Sequence, residues 1–318
     1  MSKRTYYRLA FWPVFLAICW NAICSTHAQQ NGPAPGDVFR QLTLQSRWTE
    51  VARVPLKFNA HHTQGMVKIG DDFYMTAVEV RHWPRRYPEK EGKFDRDTGE
   101  GIGHLFRFNG KGELLNDIIL GEGTIYHPGG LDFDGTYLWI PVCEYRPYGA
   151  SLVYRVNVSD LKPEKLFRVE DALGALAFDS SSRTLLGANW GSRDFYVWKL
   201  DKKGGVKSDS FKKTPNPSFY IDYQDCHGVG NGWVLCAGLN SFSTENAGSS
   251  FRLGGLDLVS MDDLRPVHQL PVNLRSATGK VITQNPAWLE THGQGLRAYF
   301  VPDDDLEAVL YVFDILPE

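Results

Sequence analysis

The chain has 318 residues, of which 42% are hydrophobic and 22% are charged, and its formal net charge is -3. This near-neutral balance excludes the basic surfaces by which proteins bind nucleic acids or anionic membranes. The length exceeds that of a small scaffold held together by disulfides and is sufficient for one large all-β domain.

The first residues are typical of a secretory signal peptide. A basic start is followed by the apolar run Leu9–Ile23 and by small residues that end at Ala28. We therefore predict a signal peptide over 1–28, a secreted or periplasmic location, and no membrane span after cleavage. The next residues, 29–40, are polar and contain proline and glycine, and we expect a disordered tail there.

The remainder, 41–318, repeats one phrase about five times: a small or glycine-containing turn, a short strand, a tight turn and a second strand. Short runs of Val, Ile, Tyr, Phe and Trp alternate with turn residues, and helical periodicity is nearly absent. The copies lie about 45 to 65 residues apart, a spacing typical of the four-stranded blades of a single β-propeller domain. Five residues occupy the same place in the five copies: Gly65, Gly130, Ala175, Gly228 and Trp288.

The apolar runs predict four strands in each of the first four blades and three in the fifth. The first two blades have strands at Gly65–Ile69, Phe73–Val80, His104–Asn109, Leu114–Leu120, Gly130–Phe133, Tyr137–Cys143, Leu152–Val156 and Lys165–Val169. The next two have strands at Ala175–Phe178, Leu185–Asn189, Phe195–Leu200, Val206–Phe211, His227–Gly230, Trp233–Leu239, Gly255–Ser260 and Arg265–Leu270. The last has Ala287–Glu290, Ala298–Pro302 and Val309–Ile315.

The strand missing from the fifth blade is expected at the other end of the chain. Trp48–Leu56 precedes the first repeat and has the composition of a strand. We predict that it pairs with Val309–Ile315 and closes a five-bladed ring, because closure removes exposed sheet edges. Six blades are the alternative, since the long first spacing could include an extra unit.

Three cysteines remain after signal cleavage, Cys143, Cys226 and Cys236. An odd number permits at most one internal bridge. The pair Cys226 and Cys236 would span one predicted hairpin. Buried free thiols are the alternative, and the fold does not depend on sulfur in either case.

The lengths of the connections identify one face of the propeller as the functional face. Turns between the first and second strands are tight, with Asp-Gly and Asn-Gly pairs that are typical of hairpins. Longer loops follow the second strands, at Arg81–Gly103 and Ser241–Gly254, and both fall on the opposite face. Long loops on a rigid scaffold are where binding residues are most often found.

Histidines and carboxylates lie at the starts of first strands and the ends of second strands, where they face the central channel. Such side chains, converging from several blades, can bind a divalent cation: imidazole favours zinc and an oxygen-rich subset favours calcium. The alternative is that each bonds only to backbone in a turn. We predict four metal ligands and two candidate general bases: His62, His127, Asp225 and His227 as ligands, and Glu79 and Glu144 as bases.

The first long loop opens with guanidinium and aromatic groups, which could pair with an anionic substrate. A solvated loop balanced by its own acids is the alternative. The residues predicted to bind substrate are Arg81, His82, Trp83, Arg85, Arg86 and Asn240.

Two motifs resemble those of a known family. His62-Thr-Gln-Gly-Met66, followed by a Gly-Asp-Asp turn, and Cys143-Glu-Tyr-Arg-Pro-Tyr-Gly-Ala-Ser-Leu152 are similar to stretches of the plant-type glutaminyl cyclotransferases, which are five-bladed propellers. The overall phrasing also resembles the senescence-marker/gluconolactonase and strictosidine-synthase-like propellers. Those families are six-bladed and hold an axial metal through Glu, Asn and Asp.

Three functions are compatible with these features. The first is a secreted metal-dependent enzyme that hydrolyses a lactone or ester, or eliminates across an acidic sugar. The second is a non-catalytic propeller that binds a glycan or a protein. The third, implied by the resemblance, is a cyclotransferase-like acyl transfer. In each case we expect a monomer whose partner is a small molecule or a glycan.

Overall fold

The computed structural model describes Met1 and residues 32–206, 212–244 and 248–318. The chain divides into two compact units, Met1–Gly32 and Pro33–Glu318. The predicted signal peptide lies outside the described residues. In the part of the chain that the structure describes, no helix is long and apolar enough to span a membrane.

The described part of Pro33–Glu318 is almost entirely strands joined by turns, as the alternating sequence predicts. Two single 3-10 turns, Trp190–Ser192 and Asp305–Glu307, interrupt the loops. The elements in chain order are α1 Pro35–Phe39, β1 Arg47–Pro55, β2 His62–Ile69, β3 Asp72–His82, β4 Arg86–Glu91, β5 Phe94–Arg96, β6 Glu100–Asn109, β7 Leu114–Leu120, β8 Ile125–Pro128, β9 Asp132–Phe133, β10 Tyr137–Glu144, β11 Ser151–Asn157, β12 Pro163–Val169, β13 Leu173–Asp179, β14 Thr184–Asn189, β15 Asp194–Lys199, β16 Lys212–Pro215, β17 Asp222–Gly228, β18 Trp233–Ser243, β19 Ser250–Ser260, β20 Pro266–Val272, β21 Ala287–His292, β22 Gly295–Phe300 and β23 Val309–Leu316.

These strands form five antiparallel blades, which confirms the predicted five-bladed propeller. Blade 1 is β2-β3-β6-β7, blade 3 is β13-β14-β15-β16 and blade 4 is β17-β18-β19-β20. In blade 2 the innermost strand is split into β8 and β9, which both pair with β10, followed by β11 and β12. Blade 5 has the order β21-β22-β23-β1, and the small sheet β4-β5 lies in the insertion after β3.

The N-terminal strand closes the ring, as predicted. β1 pairs antiparallel with β23, from Trp48 opposite Ile315 to Pro55 opposite Val309. The Trp48 ring packs on Phe300 and Phe313, with centroids 6.4 and 6.1 Å away. The last blade is therefore assembled from both ends of the propeller sequence.

The apolar core lies between neighbouring blades. Inner strands such as β14 are buried along their whole length, whereas the outer strand β7 is largely exposed. Between blades 1 and 5, for example, Met66, Phe106 and Phe108 pack with Tyr299 and Leu310. Strands such as β14 are therefore covered on both faces by neighbouring blades, whereas the outer edge of blade 1 faces solvent.

The predicted disordered tail over 29–40 differs from the structure, because part of it is the helix α1. Val38 and Phe39 are buried in the cluster between blades 4 and 5. The Phe39 ring contacts His268 edge-on at 5.3 Å, and the Gly36 amide donates to the Val229 carbonyl. Val38 and Phe39 therefore pack α1 against the propeller, although the surrounding segment is polar.

Two local predictions need correction. The outer strand of blade 3 is β16, Lys212–Pro215, rather than the predicted Val206–Phe211. Val206 makes a single bridge to Leu200, and 207–211 lie outside the described residues. The segment Ser241–Gly254 is a hairpin extension more than a loop, since pairing of β18 with β19 continues to Ser243 opposite Ser250. Its alternating serine and phenylalanine residues support strand pairing.

The cysteine alternatives are settled by the strand register. Cys226 of β17 lies directly opposite Cys236 of β18, and the two form a disulfide. Cys143 is a buried free thiol.

Candidate functional site

A cavity of about 200 Å³ opens on the predicted functional face, near the channel axis. It lies where the first strands of blades 1 to 4 begin and the second strands of blades 2 and 3 end. Its lining includes His62, Gln64, His127, Tyr145, Trp190 and Gln224. Titratable and aromatic groups from separate blades therefore converge there, as the repeat predicted.

His62 is held by a carboxylate at the edge of this cavity. Its Nδ1 lies 3.2 Å from Asp304 Oδ1, and Asp304 Oδ2 accepts a bond from Lys280 Nζ at 2.5 Å. Burial alone would raise the pKa of Asp304, but the bonds from His62 and Lys280 lower it below its usual value. Because an ionised carboxylate only accepts, Nδ1 of His62 carries a proton; in the neutral imidazole, Nε2 then has the lone pair.

His127 is a neutral imidazole beside His62. The two ring centroids are 6.3 Å apart, and the Tyr145 ring lies 4.1 Å from the His127 ring. Burial, with a smaller contribution from His62, lowers the pKa of His127 to about 3. Its Nε2 has no hydrogen-bond partner among the described residues. This nitrogen is thus a buried polar atom left unsatisfied beside the cavity.

Two aromatic rings, Tyr145 and Trp190, belong to the cavity lining, and a third, Trp83, contacts Tyr145 beside it. Tyr145 lies 5.9 Å from Trp83 and 5.6 Å from Trp190, and Trp83 is also 6.5 Å from His62. Trp83 is 63% exposed although it is large and apolar. Exposed aromatic rings around a concave site are typical of ligand-binding surfaces.

Of the predicted substrate-binding residues, Trp83 contacts two residues of the cavity lining, His62 and Tyr145. Trp83 itself lines a separate surface groove of about 350 Å³ together with His82 and Arg85. Asn240 Nδ2 donates to the Phe219 carbonyl at 3.1 Å. The others interact with nearby acids: Arg81 with Glu79 at 3.4 Å, His82 with Glu100 at 2.9 Å and Arg86 with Asp95 at 3.1 Å.

Asp225 and His227 lie deeper on the axis and connect blades. Asp225 Oδ2 accepts the amides of Met66 and Ala287 at 2.8 and 3.2 Å, and it lies 3.3 Å from His227 Nε2. His227 Nε2 also donates to the Ala287 carbonyl at 2.7 Å. These bonds connect blades 1, 4 and 5.

Asp132 completes this axial group on the other side of the imidazole. Its Oδ1 lies 3.5 Å from His227 Nδ1, and its Oδ2 accepts the amides of Phe178 and Gly228 at 2.8 and 2.7 Å. Together with Asp225, it brings all five blades into one hydrogen-bonded centre. Burial would lower the pKa of His227, but the two carboxylates raise it to about 10.

Two glycines permit the carboxylate to lie at the axis. A Cβ at Gly65 would lie 2.5 Å from the Gly130 Cα and 2.8 Å from Asp225 Oδ1, and a Cβ at Gly130 would lie 2.7 Å from the same oxygen. Any other residue would displace the axial centre. The repeated glycine of the sequence phrase is thus explained by close approach of the blades.

The four predicted metal ligands are arranged as two pairs. His62 and His127 border the cavity, while Asp225 and His227 are engaged in the axial group. A different group has the spacing of a metal site. Among the described residues, His61, Glu79 and His104 have ligand atoms that all lie within 4.8 Å of one another.

The two predicted bases lie away from the cavity lining. Glu144 accepts from Thr124 Oγ1 and Arg146 Nε, both at 2.9 Å, and its neighbours Cys143 and Tyr145 face the cavity instead. Alternation along β10 turns Glu144 to the other side. Glu79 belongs to the group with His61 and His104.

Sequence reasoning missed Tyr145 and Trp190 as members of the site. Tyr145 directly follows β10, and Trp190 directly follows β14. Both residues could have been found from the sequence, because each is an aromatic residue directly after the second strand of its blade. The pairing of Asp304 with His62 could not be predicted, because the two residues are 242 positions apart in the chain.

A larger groove of about 670 Å³ lies at the outer edge of blades 5 and 1. Val51, Val54, Phe73 and Val312 contribute to its lining. It contains none of the histidines discussed above. We therefore assign the functional site to the smaller axial cavity, which His62 and His127 line.

Comparison with family models gives one assignment. Residues 23–317 match the family described as "Family of unknown function (DUF6454)". The chain belongs to this family. No curated protein matches the sequence.

Solved structures similar to this family member are distant in sequence. A luciferin-regenerating enzyme has 9% identity and a TM-score of 0.47, with 85% of this chain and 95% of that chain covered. A hypothetical protein from Leishmania major has 10% identity and a TM-score of 0.49, with 85% and 91% covered. These values carry no functional argument, and the finer resemblance to cyclotransferases or gluconolactonases is not confirmed.

Proposed function

We propose that this protein is a hydrolase that binds a small lactone or ester in the axial cavity and uses His62 as the general base. The observation that carries the proposal is the bond between His62 Nδ1 and Asp304 Oδ1 at 3.2 Å. A carboxylate on one ring nitrogen orients the imidazole and leaves the other nitrogen to accept a proton.

The proposed step uses water as the nucleophile. His62 Nε2 removes a proton from water while the water oxygen bonds to the ester carbonyl carbon. The bond from that carbon to the ester oxygen then breaks, and the leaving oxygen takes the proton back from His62. Asp304 stabilises the transient imidazolium, and Lys280, 2.5 Å from Asp304, keeps that carboxylate ionised.

The shape of the cavity supports a small cyclic substrate. Its volume of about 200 Å³ is below the range of pockets for drug-sized ligands, about 300–1,000 Å³. Tyr145 and Trp190 present flat faces near the histidines, and such faces pack well on the apolar side of a sugar ring. A sugar-derived lactone fits these features.

The test is hydrolysis of a panel of lactones and small esters by the wild type, His62→Gln and His292→Gln. His292 is exposed on blade 5 and serves as the matched control. We expect His62→Gln to lower kcat/KM about 100- to 10,000-fold, the usual contribution of a general base. We expect His292→Gln to hydrolyse at the wild-type rate. Equal activity of His62→Gln and the wild type would refute the role of His62.

A non-catalytic sugar-binding propeller is the second candidate, favoured by the exposed Trp83 beside Tyr145. It predicts that the wild type hydrolyses no substrate of the panel but binds a saccharide in calorimetry. Trp83→Ala would then weaken binding while His62→Gln would leave it nearly unchanged.

A further inference from the structure

A second group of polar side chains lies in the seam between blades 1 and 5, beside the connection from β1 to β2. The rings of His61 and His104 stack at 5.0 Å, and both lie against Phe106, which belongs to the apolar cluster shared by these blades. His104 is 5% exposed, whereas one third of the Glu79 side chain is exposed. The group is thus enclosed by protein on one side and open to solvent on the other.

The buried His104 has one nitrogen without a hydrogen-bond partner. Its Nδ1 bonds to Asp117 Oδ1 at 2.8 Å, which places the proton on Nδ1 and the lone pair on Nε2. That Nε2 has no hydrogen-bond partner among the described residues, and the nearby Glu79 Oε2 is 3.8 Å away. His104 Nε2 and the Glu79 carboxylate thus face each other without a hydrogen bond, and a cation between them would satisfy both.

The distances suit a shared metal ion. Ligands about 2.1 Å from a tetrahedral zinc lie about 3.4 Å from one another. The 3.8 Å between His104 Nε2 and Glu79 Oε2 needs a small contraction, and the ligand atoms of the three residues already lie within 4.8 Å of one another. Because an imidazole binds a metal in its own ring plane, the His61 ring, which now stacks on His104, would rotate on binding.

The backbone fixes His61 in an uncommon conformation. Its φ of 53° lies in the left-handed region, which non-glycine residues seldom adopt. Asp305 holds the segment on both sides: its carbonyl accepts the Ala60 amide at 3.1 Å and its amide donates to the His61 carbonyl at 2.8 Å. This conformation directs the ring to His104, and such outliers are concentrated at functional sites.

We propose that His61, Glu79 and His104 bind a divalent transition-metal ion, best matched by zinc, and that Asp117 is a positioning residue for His104. Two imidazoles and one carboxylate suit zinc, whereas calcium requires six to eight oxygen ligands. Three protein ligands leave a fourth position to water. The ion joins the connection between β1 and β2 to β3 and β6, independently of the axial cavity.

The test measures zinc in untagged, full-length protein that is stripped with EDTA, reloaded with zinc chloride and dialysed. We expect one zinc per chain in the wild type, and at least 100-fold weaker affinity in Glu79→Gln and His104→Gln. Asp117→Asn should weaken affinity about 10- to 100-fold while the reloaded stoichiometry is kept. His292→Gln is the matched control, because His292 Nε2 lies 4.0 Å from Asp314 Oδ2 but belongs to no three-ligand group among the described residues.

Circular dichroism and thermal melting check that each variant folds. If the buried His104→Gln fails to fold, Glu79→Gln still decides the matter, since its side chain is part-exposed. A wild type without stoichiometric zinc after reloading would overturn the proposal. So would a folded Glu79→Gln with wild-type affinity, or loss of zinc in His62→Gln but not in Glu79→Gln, which would assign the ion to the axial cavity.

Discussion

Removal of β1 is expected to unfold the propeller, because this strand closes the ring. It pairs with β23 over eight residue pairs, from Arg47 opposite Leu316 to Pro55 opposite Val309. An antiparallel ladder has about one hydrogen bond per pair, each with a net contribution of about 0.5–1.5 kcal/mol. The ladder therefore contributes about 4–12 kcal/mol, comparable with the whole free energy of unfolding of a typical domain, about 5–15 kcal/mol.

The assay is urea denaturation followed by tryptophan fluorescence. A variant lacking 29–56 should show no cooperative transition or should aggregate, whereas a control lacking 29–32 should stay within about 1 kcal/mol of the full chain. Trp48→Ala provides a graded version, with an expected loss of about 3 kcal/mol, since the ring is partly buried against Phe300 and Phe313. A wild-type midpoint in the variant lacking 29–56 would refute the closure argument.

Two further predictions concern stability. Phe39→Ala should lower the free energy of unfolding by about 3–5 kcal/mol in urea, because the ring is fully buried; a loss under about 1 kcal/mol would contradict the docking of α1. The pKa of His227 is raised to about 10 in the folded protein, against about 6.5 when unfolded. The stability from its charge is thus complete below about pH 6.5 and lost as the pH rises towards about 10. The urea midpoint of the wild type should fall over this range more than that of His227→Gln, and parallel curves would contradict the axial ion pairs.

The ring could be predicted from the sequence because its causes are local and periodic. Strand alternation, Asn-Gly and Asp-Gly turns and a repeat about every 45 to 65 residues define each blade without long-range information. The count of strands then required Trp48–Leu56 to complete the last blade, and β1 does so. The error over Ser241–Gly254 arose because serine-rich strands at a sheet rim resemble loops in composition.

The partners of each histidine could not be predicted, because side-chain direction depends on tertiary context. His61 and His62 are adjacent, yet the first contacts His104 and the second contacts Asp304. His61 itself has the left-handed conformation, so its side chain leaves the backbone in a different direction from that of His62, the first residue of β2. Likewise His127 lies near the start of the innermost strand of blade 2, whereas His227 lies near the end of β17, where it sits between two axial carboxylates.

The most direct test of the proposed function is a crystal structure with a hydrolysis-resistant lactam analogue of the preferred lactone. We predict that the lactam carbonyl lies within about 4 Å of His62 Nε2, close enough for one water between them, and that its ring packs against Tyr145 or Trp190. An analogue that binds instead in the groove between blades 5 and 1, or leaves the axial cavity unoccupied, would contradict the account.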